Sequence, residues 1–167
     1  VRLLRERGIS ARFALVGSSD EGNPTAVPVH QLQAWHADGI VEWWGHVDDM
    51  PRVFAESSVV VLPSYREELP KVLLEAAASG RAIVATDVPG CREIVRHEEN
   101  GLLVPAQDPK ALADAIERLL MDRDLRHKFG RRGRKIVESE FSVELVVRQT
   151  LDVYAELLGD KWPGNPD

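Results

Sequence analysis

Short apolar segments alternate with amphipathic ones along the first 122 residues, and this order constrains the fold more than any other feature. The apolar segments, each ended by glycine, proline or polar residues, lie at 11–17, 40–45, 59–64, 81–87 and 101–106. They have the length of strands, and the segments between them have the spacing of helices. Strands that alternate with helices form parallel sheets, because each connection crosses back over the sheet. The sequence therefore predicts an α/β fold, a doubly wound, Rossmann-like parallel sheet with helices on both faces.

The helical segments continue beyond the last strand. Asp108 is expected to cap the helix that follows it, with Pro109 as the first helical residue, since a carboxylate accepts a free amide there and proline needs no partner. We interpret residues 1–158 as one domain and residues 159–167, which are polar and rich in proline and glycine, as a frayed tail. Helices are predicted at 1–8, 29–38, 48–58, 69–79, 91–97, 108–122, 123–140 and 142–159.

The composition indicates a soluble globular domain that does not bind nucleic acid. Apolar residues make up 44% and charged residues 29% of the chain, and the net charge is −6, which opposes binding to a polyanion. No apolar run is long enough to span a bilayer. Cys91 is the single cysteine, so no internal disulfide can form and a reducing, cytoplasmic compartment is expected.

Neither the cysteine nor the histidines form a recognisable reactive pattern. Cys91 is expected to be a buried, inert thiol, because no pattern of histidine and aspartate partners accompanies it. The histidines lack the spacing of metal ligands, so no metal site is expected. They are His30, His36, His46, His97 and His127.

Ligands bind to open parallel sheets outside the carboxyl ends of the strands, and this rule selects candidate residues directly. The first four predicted strands are followed by Gly17 and Ser18, by 45–47, by 64–69 and by 86–91. The third of these segments is the best candidate because a helix begins at its end. The free amides at the start of a helix suit a phosphate, and Pro70 is expected in the first turn, where proline is tolerated.

Two carboxylates flank the start of that helix. Glu75 lies five residues after Pro70, roughly 7 Å along a helix axis, which is about the distance from a pyrophosphate to a ribose. Glu67 lies in the loop on the other side of the phosphate position, where a sugar would be attached. The alternative is that Glu67, Glu68 and Glu75 are surface groups that complement the helix dipole, and acidic residues at such spacing are common without a ligand.

The segment 59–95, "VVVLPSYREELPKVLLEAAASGRAIVATDVPGCREIV", resembles the donor-binding signature of family 4 retaining glycosyltransferases. The signature of that family is two glutamates separated by seven residues, and Glu67 and Glu75 match it. The resemblance extends to "ARFALVG", "NGLLVPAQDPKALADAIERLL" and "FSVELVVRQTLDVYAELL", and so to essentially the whole chain. It implies the C-terminal, nucleotide-sugar-binding half of a GT-B fold.

The resemblance implies a role for each candidate residue. Glu67 would contact the donor sugar close to the reacting carbon, and Glu75 would hold the ribose hydroxyls. The amides of Glu68, Leu69 and the neighbours of Pro70 would meet the sugar and the phosphates. Next to the nucleobase the resemblance places His46 and Val47, with Gly17 allowing the backbone to approach the nucleotide. The donor implied is a UDP-sugar, bound without a metal or other cofactor.

The sequence departs from the family in two respects. Glu68 stands where the family usually has glycine, which puts the shape of the loop or the donor affinity in question. The first strand of this half, with the Arg and Lys that neutralise the diphosphate, and the acceptor-binding N-terminal half would precede Val1. The chain is therefore expected to be inactive alone and to meet its glycan or lipid-linked acceptor through the missing half.

The strand that the resemblance places before Val1 would lie between the segments 11–17 and 59–64. Leaving their backbone groups buried and unpaired would cost about 1–3 kcal/mol for each group. We therefore expect these strands to pair directly, or a segment of another chain to fill the place between them. A gap that stays open would contradict both alternatives and would indicate that further residues precede Val1.

Several functions remain open on the sequence. The favoured one is the donor half of a glycosyltransferase of surface polysaccharide synthesis, cytoplasmic and in peripheral contact with the inner membrane face. A basic run is the candidate for that contact, although such a run is more often a solvated helix face. The alternatives are a non-catalytic nucleotide-binding or regulatory module and a sugar-nucleotide epimerase of similar fold. The basic run consists of Arg131, Arg132, Arg134 and Lys135.

Overall fold

The computed structural model of the chain describes residues 1–19, 22 and 26–159. Of the predicted tail at 159–167, only Gly159 falls within the described residues. The helices are α1 (Arg2–Glu6), α2 (Val29–Ala37), α3 (Met50–Glu56), α4 (Lys71–Ala78), α5 (Pro89–Ile94), α6 (Pro109–Met121), α7 (Arg123–Glu140) and α8 (Val143–Leu158). The strands are β1 (Ala14–Val16), β2 (Glu42–Gly45), β3 (Val59–Leu62), β4 (Ala82–Thr86) and β5 (Gly101–Val104).

Every predicted helix and strand is present, most of them with shorter bounds than predicted, and two helix starts differ at prolines. Helix α5 begins at Pro89, two residues before the predicted start, because proline has the φ of a first helical residue. Helix α4 begins at Lys71, so Pro70 is its N-cap and not part of its first turn as predicted. At α6 the prediction is confirmed, since an Asp108 side-chain oxygen accepts the amide of Ala111 at 2.9 Å.

All strand pairs are parallel, but they form two sheets. Strand β1 pairs with β2, and the second sheet has the order β3–β4–β5. The central strand β4 is buried on both faces. Ala82, Val84 and β5 pack with α1 and α6, while Ile83 and Ala85 pack with α3, α4 and α5. Helices therefore cover both faces of this sheet, which confirms the doubly wound α/β prediction.

The expected direct pairing of β1 with β3 is wrong. Among the described residues, no strand is hydrogen-bonded to both sheets. The alternative that a segment of another chain lies between β1 and β3 stays a prediction. The prediction assumed that the unpaired backbone groups would be buried. All three residues of β1 are exposed and those of β3 are only half-buried, so water can satisfy these groups and the expected penalty does not arise.

Helix α7 packs against the end of α4 through glycines. A Cβ at Gly130 would lie 2.0 Å from the carbonyl oxygen of Gly80, which follows α4 with a φ of +67°. Three residues further on, a Cβ at Gly133 would stand at an ordinary 3.5 Å from the Cβ of Ala77. Gly130 therefore sets how closely the two helices approach, whereas Gly133 has space for a methyl group.

Helix α8 differs from the other long helices because it has no buried residue. Most of its apolar side chains are exposed, among them Val143 and Leu157. Within residues 1–19, 22 and 26–159, no helix combines the length and the apolar character needed to cross a bilayer. In the predicted basic run, Arg132 pairs with Glu99 and Arg134 with Glu138, and contact of this run with a membrane stays a prediction.

Candidate functional site

The loop from β3 to α4 carries most of the candidate residues, and its end is fixed by packing. Pro70 is buried and has an extended ψ of 108°, so the chain turns into the helix directly after it. The amide of Leu73 donates to the carbonyl oxygen of Pro70 at 3.0 Å and closes the first turn. The buried face of α4 consists of Leu73, Ala76 and Ala77. The start of α4 is therefore held rigidly at the carboxyl end of β3.

Several backbone amides at this position have no acceptor in the described part of the chain. They belong to Glu68, Leu69, Lys71 and Val72. Unpaired amides at the start of a helix, together with the helix dipole, favour an anion. The structure thus provides the donors that the sequence predicted for a phosphate.

Glu67 presents a carboxylate without a partner. Its side chain is half-buried, and it makes no hydrogen bond or ion pair with any residue that the structure describes. A half-buried carboxylate that no protein group neutralises is able to accept hydrogen bonds from a ligand. Its place at the end of β3 matches the one predicted from the sequence.

Glu75 lies one turn into α4, on the same helix as the free amides. Its carboxylate is 3.3 Å from the ammonium of Lys71, and the side chain is 35% exposed. The Lys71 side chain is 86% exposed, so this ion pair is weakly held and a ligand can replace it. Glu75 is thus accessible to a diol, although in the free chain it is not without a partner.

Glu68 stands where the family usually has glycine, and the structure shows whether the loop needs glycine at this position. Glu98 and Gln107 are the non-glycine residues with positive φ in the described ranges, so the backbone at Glu68 does not need glycine. The Glu68 side chain is exposed. The loop therefore accommodates glutamate without backbone strain, and the added charge is the difference that remains.

Gly17, His46 and Val47 lie together at the end of the other sheet. The amide of Gly17 donates to the carbonyl oxygen of Gly45 at 2.7 Å, and its φ of +129° favours glycine. The indole of Trp43 donates to the Gly17 carbonyl at 2.9 Å. His46 is exposed, with a ring nitrogen 3.0 Å from Asp48, and Val47 is half-buried. The predicted residues therefore form two groups, one at each sheet.

Two residues that support the Glu67 loop from below, Thr86 and Gly90, were not identified from the sequence. The Thr86 hydroxyl donates to the carbonyl of Ser64, and Gly90 lies directly against the backbone of the loop. The rule that ligands bind outside the carboxyl ends of strands selected residues 86–91, but it assigned no role to any residue of that segment. Cys91 is fully buried here, and burial raises the pKa of its thiol, which agrees with the predicted inert cysteine.

An ion pair next to Thr86 keeps one carboxylate charged. Asp87 accepts a hydrogen bond from Arg92 at 2.5 Å, which lowers the pKa of the Asp87 carboxyl. Within the ranges that the structure describes, no group of three or more His, Cys, Asp or Glu residues could hold a metal ion.

The fold is an α/β domain in which unpaired amides at the start of α4 lie between two acidic side chains. The chain belongs to the family "Glycosyl transferases group 1", whose model matches residues 1–122. The capsular polysaccharide biosynthesis glycosyltransferase CapM of Staphylococcus aureus is 34% identical to it over 157 residues, which are 94% of this chain and 41% of that protein.

Solved structures show the same fold. A sucrose-phosphate synthase from Thermosynechococcus elongatus matches 88% of this chain and 38% of its own, with 32% identity and a TM-score of 0.79. The Anabaena protein HepE, solved with UDP and glucose, matches 86% of this chain and 40% of its own at a TM-score of 0.78. At 23% identity, HepE shows likeness of fold alone. This chain has the fold of the C-terminal, Rossmann-like half of GT-B glycosyltransferases.

The chain spans between 13% and 41% of the length of the curated relatives that it matches. Activity, acceptor and partners of a whole protein therefore depend on more than these residues.

Proposed function

We propose that this chain is the donor-binding part of a retaining glycosyltransferase of family 4 that uses a nucleotide-sugar, with UDP as the first nucleotide to test. One observation carries the proposal: free amides at the start of α4 lie between Glu67, which has no partner, and Glu75 on the first turns of the helix. An elongated ligand of sugar, diphosphate and ribose fits that order. Family membership supports the same assignment.

Each group has a distinct task in this proposal. The amides of Glu68, Leu69 and Lys71 bind the diphosphate and stabilise the charge that grows on it as it leaves. Glu75 accepts hydrogen bonds from the two ribose hydroxyls, which displaces the ammonium of Lys71. Glu67 accepts hydrogen bonds from hydroxyls of the donor sugar and fixes the reacting carbon. Gly17, His46 and Val47 border the base.

The reaction proposed is transfer with retention on one face of the sugar. The bond between the anomeric carbon and the diphosphate oxygen breaks, and a bond from that carbon to an acceptor hydroxyl oxygen forms on the same side. The hydroxyl proton passes to the departing diphosphate. A glycan or lipid-linked acceptor of surface polysaccharide synthesis, reached at the cytoplasmic face of the membrane, is the proposed partner, and CapM supports that choice.

The test uses the whole gene product that contains this chain. UDP-, GDP- and ADP-sugars are added in turn, and the melting temperature and the release of the nucleoside diphosphate are measured. A rise in melting temperature with one nucleotide, and release of that nucleotide in the presence of an acceptor, are expected. Binding without release would favour the non-catalytic module, while interconversion of two nucleotide-sugars would favour an epimerase. No binding of any nucleotide would overturn the proposal.

A further inference from the structure

We propose that Gly90 and Thr86 are positioning residues that hold the loop carrying Glu67 in a fixed position relative to the sheet. This inference rests on the proposed function for its kinetic consequence, but the contact itself is a property of the fold. Neither residue would touch the donor, because both lie beneath the loop.

Gly90 is the closest contact of the loop. A Cβ at this position would lie 2.4 Å from the carbonyl oxygen of Glu68 and 2.5 Å from that of Glu67. Both obstacles are backbone atoms, which cannot rotate away as a flexible side chain can. Gly90 is buried in the first turn of α5, so its own backbone is also fixed. Because Gly90 has no side chain, the backbone of the loop can pack directly against α5.

Thr86 holds the same loop at its beginning. It is the last residue of β4 and is 3% exposed, and its hydroxyl donates to the carbonyl of Ser64. Ser64 precedes Glu67 by three residues. The loop is thus hydrogen-bonded to β4 at Ser64, and it packs against α5 at Glu67 and Glu68.

These contacts matter for Glu67 because its side chain has no support of its own. No hydrogen bond or ion pair orients the Glu67 carboxylate in the described residues. Its position therefore follows the backbone. To restore an ordinary contact of about 3.4 Å, a methyl group at 90 would displace the Glu68 carbonyl by about 1 Å, and a misplacement of that size can lower a rate about 100-fold.

The experiment compares Gly90→Ala with Gly133→Ala in the whole gene product. Gly133 is also a buried helical glycine, but a methyl group there meets only an ordinary contact at 3.5 Å. Crystal structures of both variants are expected to show the Glu67 backbone displaced by about 1 Å in G90A and unmoved in G133A. This readout does not depend on any activity, so it remains valid if the proposed function fails.

The kinetic readout separates positioning from general destabilisation. At a temperature where both variants are folded, kcat of G90A is expected to fall about 10- to 100-fold. The Kd for the nucleoside diphosphate is expected to rise as well, because the displaced peptides also carry the amides of Glu68 and Leu69. In a Glu67→Ala background, G90A should lower kcat by a smaller factor than in the wild type, since one of the groups that it misplaces is gone. Equal losses in both backgrounds would overturn the positioning role.

Thr86→Val keeps the inference testable if G90A does not fold. Valine preserves the shape but cannot donate to Ser64, and kcat is expected to fall about 2- to 10-fold, again by a smaller factor when Glu67 is absent. An unmoved loop in the available variant, or a moved loop with unchanged kcat, would overturn the proposal. A wild-type protein without transferase activity would refute the proposed function, and the crystal structures alone would then decide whether Gly90 and Thr86 seat the loop.

Discussion

At the scale of single residues, the two glutamates of the site differ in their surroundings more than in their chemistry. Glu67 has no partner in the described part of the chain, whereas Glu75 is 3.3 Å from the ammonium of Lys71. A ligand therefore meets an unpaired carboxylate at one end of the site and has to break a weak ion pair at the other. This difference leads to separate predictions.

Glu75→Ala should weaken binding of UDP by about 1–3 kcal/mol, because two hydrogen bonds to a charged acceptor are lost. Isothermal titration of UDP against both proteins measures the change. Lys71→Met is the matched control, since it removes the ion pair but keeps the carboxylate, and its UDP affinity should change less. Equal affinities of E75A and wild type would refute the contact with ribose.

Glu67→Ala should lower turnover strongly and leave the affinity for UDP nearly unchanged. The reason is that UDP lacks the sugar that Glu67 is proposed to hold, so only an interaction made during transfer is lost. Steady-state rates and UDP titrations are compared for the variant and wild type. A loss of UDP affinity as large as the loss of turnover would show that Glu67 acts on the nucleotide.

Glu42 at the start of β2 should titrate far below an ordinary glutamate. The hydrogen bonds from Arg12, at 2.8 Å, and secondly from the Trp44 indole lower the pKa of Glu42 from 4.5 to about 2. Since the folded pKa is depressed, the stabilisation is present above pH 4.5 and is lost as the pH falls towards 2. Carbon-detected NMR of the Glu42 carboxyl gives the midpoint, and Arg12→Ala should raise it. A wild-type midpoint near 4.5 would contradict the prediction.

At the scale of elements, α4 positions the site and α7 supports α4 from the other end. The start of α4 carries the free amides, while Gly80 at its end meets Gly130 of α7. The contact is backbone to backbone, so neither partner can adapt to added volume.

Gly130→Ala should lower the free energy of unfolding by at least about 1–3 kcal/mol, because a methyl group would lie 2.0 Å from the Gly80 carbonyl. Gly133→Ala, on the same helix, should be neutral or stabilising by about 0.5–1 kcal/mol, since alanine favours helix and the space is sufficient. Urea unfolding of the two variants measures the difference. Similar midpoints would show that α4 and α7 are not in contact at these glycines.

At the scale of the whole molecule, the two sheets have different environments. The sheet β3–β4–β5 lies between two apolar clusters, and β4 is buried along its whole length. Strand β1 is exposed at every residue and, among the residues that the structure describes, pairs with β2 alone. Local opening depends on buried apolar contacts, so the two sheets are expected to open separately.

Hydrogen exchange should therefore be slowest in β4 and at least about 10-fold faster in β1, because opening of β1 breaks few buried contacts. Mass spectrometry of peptides covering 14–16 and 82–86 measures both rates in this chain. If β1 were protected as strongly as β4, the two sheets would form a single cooperative unit.

The sequence by itself determined the kind of each element, because the spacing of apolar residues and the prolines are local properties. It also made Glu67 and Glu75 candidates for a ligand site, because a helix start after a buried strand is visible in the order of residues. What only the tertiary structure decided depends on chain segments that are distant in sequence. These features are the separation of β1 from β3, which pair with different strands, and the packing of Gly90 against the backbone of Glu67 and Glu68. The roughly twenty residues between Glu67 and Gly90 carry no local pattern that could reveal that contact.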